Sequence, residues 1–359
     1  MKIKELLKEK ERIRKFKIKS VSCIKTIFNG DGNNSVVRKI SYCEYDSDGN
    51  KSFDITFDND GKIFLKNRLK YGEENIILEC EKYDSKGNIK SEEKYYYDKK
   101  GRKKEFSKYS EGLLKKQEVL SYDKDGNLLE ILNYDKGTVE RIYSNIYDEE
   151  GRKIKWSDAK SDGKIIKQHC YSYNSKGQVK EQKIINNNLK TEINHLYNYD
   201  NSGNLTNEII KDSKGQIIKT IKYIFNKNKN IIQESEYSSN DTLILKKEYE
   251  YDEYERLLKE TIYGADNSVK FFCNYNYDGK GNETERAVQF PNGILKWSYE
   301  YEYSPDGDLL KKIYTYNSTD SPKKYTHIYD GKGNKLKIIK TSTANIMEES
   351  IDYIYDYYE

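Results

Sequence analysis

Thirteen aromatic anchors at near-uniform spacing constrain this 359-residue chain more than any other feature. They are Tyr45, Tyr71, Tyr97, Tyr122, Tyr147, Tyr173, Tyr199, Phe225, Tyr251, Tyr277, Tyr303, Tyr329 and Tyr355, separated by 26 residues except for two intervals of 25. Self-similarity of this kind means a tandem repeat in which each unit packs on its neighbours rather than around one central interior.

Most anchors open a turn. The string Tyr-Asp-x-x-Gly occurs at Tyr45, Tyr83, Tyr97, Tyr122, Tyr147, Tyr199, Tyr277 and Tyr329, with variants at Tyr173 and Tyr303. The Asp side chain can accept a hydrogen bond from the backbone N–H two residues on, and the Gly supplies the left-handed residue of a type I turn with a G1 bulge. A second turn lies half-way through each unit, as at Asp162-Gly163, Asn186-Asn187-Asn188, Asp212 and Pro291. Each half-unit of about 13 residues therefore reads as one strand and one turn, the arithmetic of a β-hairpin meander.

The strands alternate. Pairs such as Tyr171/Tyr173, Tyr197/Tyr199, Tyr249/Tyr251, Tyr275/Tyr277 and Tyr353/Tyr355 place two rings on one face, and Trp297, Tyr299, Tyr301 and Tyr303 place four. Tyrosine suits a pleated surface because its ring packs across strands while its hydroxyl can stay wet. The expected fold is all-β: an elongated, curved or spiralled antiparallel meander of about twelve 26-residue hairpin repeats. Residues 1–12, with Ile3, Leu6 and Leu7 among Lys and Glu, predict a short amphipathic helix capping an exposed first edge strand. Residues 13–359 read as one continuous repeat domain with nothing following it.

Composition agrees with a thin sheet. The chain is 35% charged and 35% hydrophobic, and 35 residues are Tyr. No stretch approaches the apolar length of a membrane-spanning helix. The Lys and Glu density also leaves no lipid-facing side for a membrane barrel. The aromatic content argues against disorder, and the shortage of aliphatics against an ordinary large enzyme. Residues 1–25 carry ten Lys/Arg against three Glu, while the rest is near neutral, so a nucleic-acid partner is not expected. There is no apolar signal-peptide region, and the five cysteines (Cys23, Cys43, Cys80, Cys170, Cys273) are scattered without a CxxC pair. Both features predict free thiols in a cytoplasmic protein, export by a non-classical route remaining compatible with them.

The motif Tyr-x-Tyr-Asp-x-x-Gly-Asn, complete at Tyr197–Asn204 and Tyr275–Asn282, resembles the YD-repeat, or rearrangement-hotspot (RHS), family of bacterial repeat proteins. The resemblance spans roughly residues 40–359 and implies a long β-meander, which in large members coils into a hollow shell around a toxin. Some members are described as carbohydrate-binding. This chain departs from the family in its longer unit, and in lacking both a Pro- and Gly-rich core segment and a C-terminal toxin domain. The resemblance therefore implies the fold and not toxin delivery or self-cleavage.

Motifs for chemistry are few. Asp46–Asn50 and Asp123–Asn127 resemble the start of a calcium loop, but Gly stands at position 4 instead of 6, and position 12 is Phe57 or Tyr134 instead of Glu. His169 and His195 share a repeat position two strands apart, too far to hold one metal, and His327 stands where other repeats have Tyr. His169 and Cys170 are adjacent and so point to opposite faces of a strand. No nucleophile elbow, dinucleotide fingerprint or P-loop is present. The expectation is a non-enzymatic scaffold or protein-interaction surface, without cofactor or metal, whose partner is another protein. The alternative is a carbohydrate-binding module whose glycan stacks on Trp297, Tyr299, Tyr301, Tyr303, Tyr275 and Tyr277.

Overall fold

The structure is a computed structural model that describes residues 2–28, 35–305, 307–316, 323–342 and 346–358. Those residues form one α-helix (Lys2–Lys15), one short 3-10 turn (Glu73–Asn75) and 26 strands, all in an antiparallel sheet. The all-β hairpin meander expected from the repeat is what forms.

The anchor turns explain the period. At Asp46 the side chain accepts from the N–H groups of Asp48 (3.0 Å) and Asn50 (2.8 Å), and its second oxygen accepts from the Asn50 amide (2.9 Å). The Gly49 N–H closes the turn onto the Asp46 carbonyl, and Gly49 takes φ +78°. The ladder then skips a residue between Glu44 and Tyr45, which is the bulge that this turn requires. The same set recurs at Asp123, Asp278 and Asp330. At Asp98, Asp148 and Asp252 an arginine replaces the asparagine and forms an ion pair with the aspartate.

The strands group into two compact units, residues 1–118, 135–137 and 299–359 in the first, 119–134 and 138–298 in the second. In the second unit, twelve consecutive strands from Thr138–Tyr147 to Glu283–Gln289 each pair with the next. In the first unit, successive pairings run from Lys103–Ser110 back to the first strand, Ile18–Phe28. They continue from Leu309–Tyr316 to the last strand, Met347–Tyr357.

The first and last strands are themselves partners. Val21 faces Tyr355, Cys23 faces Tyr353 and Thr26 faces Ser350. Ser20 donates to the Asp356 carboxylate at 2.6 Å, Lys25 pairs with Glu349 at 2.6 Å, and the Tyr358 N–H reaches the Lys17 carbonyl at 2.8 Å. The expected exposed first edge is therefore absent: Ile18–Phe28 has a neighbour on each side, which removes the unpaired main-chain groups an edge would present.

The helix covers something else. It runs to Lys15, a little further than the expected boundary at residue 12, and Lys17 at φ +52° turns the chain into the first strand. Ile13 packs with Ile18 and Val21 in a small core bordered by Phe16, Cys23, Tyr45, Tyr353 and Tyr355. The helix thus lies against the tyrosine-bearing face of the terminal strands. Its Arg12 donates to the carbonyl of Gly333, in the last complete anchor turn.

Candidate functional site

Three features could carry function: the tyrosine stripe, the turn margins, and a cavity beneath the helix.

The anchor tyrosines do more than the sequence pattern implies, because their hydroxyls are bonded rather than simply wet. At the anchors named below the hydroxyl donates to a main-chain carbonyl 19 or 20 residues earlier. The pairs include Tyr71 to Lys51 (2.9 Å), Tyr97 to Ile77 (2.8 Å), Tyr173 to Lys153 (2.6 Å) and Tyr355 to Lys335 (2.7 Å). The others are Tyr147, Tyr199, Tyr251 and Tyr277. In each case the acceptor opens the strand that follows the preceding anchor turn. At two turns that hold arginine, the guanidinium covers the next anchor ring: Arg152 lies 4.8 Å from the Tyr173 centroid and Arg256 4.7 Å from that of Tyr277. At these two turns Asp, Arg and Tyr thus connect one turn to the next. The sequence signal for this bond is the fixed distance from Tyr to the residue 20 earlier, which is chemically featureless because any residue has a carbonyl.

The six residues proposed to stack a sugar lie on two strands, Val269–Tyr277 and Leu295–Tyr303. Tyr299, Tyr301 and Tyr303 line one strand, with centroids 6.1 and 6.4 Å apart and near-parallel rings. Tyr299 also stacks on Tyr314 at 4.8 Å, and Lys312 sits 4.4 Å above the Tyr299 ring. Trp297 is half-buried on the same strand, within the part of it that belongs to the second unit. Tyr275 and Tyr277 lie on another strand of that unit. The Tyr275 ring carries Arg286 at 5.1 Å, and the Tyr277 hydroxyl is bound to Leu257. Ring faces here are largely turned to each other or to cations.

The histidines sit within the aromatic stripe. His169 meets Trp156 edge-on at 5.1 Å, and His195 stacks on Tyr197 at 6.3 Å while hydrogen-bonding Glu208 at 2.7 Å. His327 is flanked by Lys312 and Ile338 on the adjacent strands. Burial, with Lys335 and Lys312 nearby, lowers its pKa to about 4. Among the described residues the one grouping of acidic and sulfur or imidazole ligands close enough for a metal is Glu79, Glu81 and Glu92, with Lys94 3.0 Å from Glu92.

The cavity lies in the first unit, between the helix and the terminal strands, and encloses about 770 Å³. Its charged lining is Glu9, Arg12, Lys51 and Lys335, its aromatic walls include Tyr329, Tyr353 and Tyr355, and Cys23 and Cys43 face it. Lys335 rests between the rings of Tyr329 (5.9 Å) and Tyr353 (5.8 Å). Burial, with Lys312 and Arg12 nearby, lowers its pKa. Burial raises both thiols and the Tyr45, Tyr353 and Tyr355 phenols. No sequence signal unites these groups, because the cavity exists only once the chain ends meet.

At the half-repeat turns, large apolar side chains face solvent. In the second unit Leu189 is 71% exposed, Ile218 45%, Ile244 42% and Ile294 53%. In the first unit Phe64 is 71% exposed and Leu113 63%.

Among the described residues no helix is long and apolar enough to cross a membrane. No family model matches the chain, and no curated protein does. Among solved structures, it is similar to the TcdB2-TccC3-Cdc42 structure, at 12% identity and a TM-score of 0.30 over 92% of this chain. It spans about a quarter of that much longer chain (27%). It is also similar to a porin-like protein from Bacteroides uniformis, at 9% identity and a TM-score of 0.20, over 94% of this chain and 96% of the other.

Proposed function

We propose that this protein is a non-enzymatic repeat scaffold that binds another protein along its half-repeat margin. The observation that carries the reading is the recurrence of exposed Leu and Ile at that margin in the second unit: Leu189, Ile218 and Ile244 lie at or just after three successive half-repeat turns, and Ile294 follows after the intervening turn Gly264–Ser268, which carries none. Hydrophobic side chains that a sheet leaves in water at a repeating position give a partner a row of contacts. The joined terminal strands support the same reading, since a chain without a free first edge has its faces and margins left for recognition. The glycan alternative receives less support, because the rings around Tyr299 already stack on Tyr314 and lie under Lys312. Five free cysteines support a reducing compartment.

The test is cross-linking of the protein in its native cells, followed by mass spectrometry and size-exclusion chromatography. Cross-links should concentrate around residues 189–294, and the Ile218→Glu, Ile244→Glu double variant should lose the complex while keeping its melting temperature. A complex that survives the double variant, or cross-links confined to other surfaces, would overturn the proposal.

A further inference from the structure

The cavity beneath the helix has an electrostatic imbalance that the scaffold does not need. Three cations, Arg12, Lys51 and Lys335, line it against one carboxylate, Glu9. Among the described residues neither Lys51 nor Lys335 has a carboxylate within ion-pairing distance, whereas Lys25, Lys82, Lys183 and Lys219 elsewhere on the sheet each do. The thiols of Cys23 and Cys43 and the phenols of Tyr353 and Tyr355 all titrate above their ordinary values, so they remain neutral near pH 7 and add no negative charge. Holding an unpaired ammonium partly out of water costs free energy, and other repeats show how readily a Glu could have been supplied.

The walls indicate what would balance the charge. Tyr329 and Tyr353 bracket Lys335, while Ile13 and Val21 form an apolar floor beside them. The volume of about 770 Å³ falls within the range of small-molecule sites. Apolar walls around a few convergent cations fit a compact body with one anionic group, held by charge-assisted hydrogen bonds. A bare inorganic anion would leave the aromatic walls unused.

We propose that this cavity is a binding site for a small organic anion with an aromatic body, its charged group held by Lys335 and Arg12 and its ring between the tyrosines. The site needs the helix, both terminal strands and the last anchor turn together, so an occupant would fasten the chain's two ends to each other. Lys335 is at the centre of both roles: its side chain faces the cavity and its carbonyl accepts the Tyr355 hydroxyl.

The experiment is isothermal titration of the full chain with 1-naphthoate, with neutral 1-naphthalenemethanol and inorganic phosphate as comparisons. Naphthoate should bind, and both comparisons should bind at least about tenfold more weakly. Lys335→Met should weaken naphthoate about thirtyfold while leaving the melting temperature of the free protein unchanged or raised, since it removes a half-buried charge that no carboxylate balances. Lys337→Met should bind as the wild type does, because Lys337 pairs with Asp352, on the other face of the strand from the cavity-lining Tyr353. If Lys335→Met fails to fold, Lys51→Met provides the same comparison. Equal binding by the Lys335 and Lys337 variants, equal affinity for the neutral alcohol, or no naphthoate binding by the wild type would each overturn the proposal.

Discussion

The hydroxyl of Tyr277 donates to the main-chain carbonyl of Leu257 at 2.9 Å, and Leu257 is the residue that closes the preceding anchor turn against Tyr251. One side chain thereby couples two repeats. Repeated along the sheet, this bond supplies a nearest-neighbour term to a structure whose buried hydrophobic residues are few.

Removing the bond alone should be measurable. Tyr277→Phe keeps the ring under Arg256 and deletes the donor, for an expected loss of about 1 kcal/mol. The natural gap offers the converse. Phe225 occupies the anchor position without a hydroxyl, and the equivalent acceptor is the carbonyl of Leu205, which closes its turn against Tyr199. Phe225→Tyr should therefore stabilise by a similar amount. Urea denaturation midpoints of the two variants should move in opposite directions.

Turn chemistry gives a second expectation. Lys229 stands where most anchor turns have Gly, and it holds φ +67°. A side chain in the left-handed region costs about 1–2 kcal/mol, part of which glycine returns as greater freedom in the unfolded chain. Lys229→Gly should raise stability by about 0.5 kcal/mol. Gly281→Ala, at φ +87°, should lower it by about 1 kcal/mol. Thermal melts of both against the wild type check the sign.

Acid should destabilise the protein in two stages. A histidine whose folded pKa is about 4 is neutral in the fold, while the unfolded chain binds a proton near pH 6.5. Stability tied to His327 is thus complete above about pH 6.5 and falls as pH drops toward 4. Lys312 and Lys335 sharpen the effect because a second charge beside them is unfavourable. His169, also lowered by burial, adds to the loss below about pH 6.5. The turn aspartates Asp98, Asp200 and Asp278 have lowered values, so their contribution is lost only at more acidic pH. His327→Phe should flatten the melting temperature between pH 6.5 and 4 and leave the steeper acid limb in place.

Much of this fold is legible along the chain, because its determinants are local. The Asp-x-x-Gly turn is written within five residues, and the alternating Tyr-x-Tyr pairs declare one face of each strand. Trp297 and the tyrosines after it are likewise recognisable as a stripe, though not as rings that spend their faces on each other. The pairing of Ser20 with Asp356 belongs to another class. No residue near position 20 signals a partner 336 positions away, since nothing local to either terminal strand specifies the other. The cavity shares this origin: Arg12, Lys51 and Lys335 are ordinary basic residues in sequence, and become a cluster only when the ends meet.

A disulfide across the terminal strands tests the joined ends most directly. In a background with the native cysteines replaced, Thr26→Cys and Ser350→Cys place thiols at directly opposed positions of the first and last strands. Opposed antiparallel positions bring Cα atoms to about 4.5–5.5 Å, within the reach of a disulfide. Peptide mapping after mild oxidation should find positions 26 and 350 linked in nearly all molecules, and little linkage when the second cysteine replaces Asp352 instead. Free thiols at both positions after oxidation, or equal linkage in the two double variants, would contradict the joined ends on which the helix packing and the cavity depend.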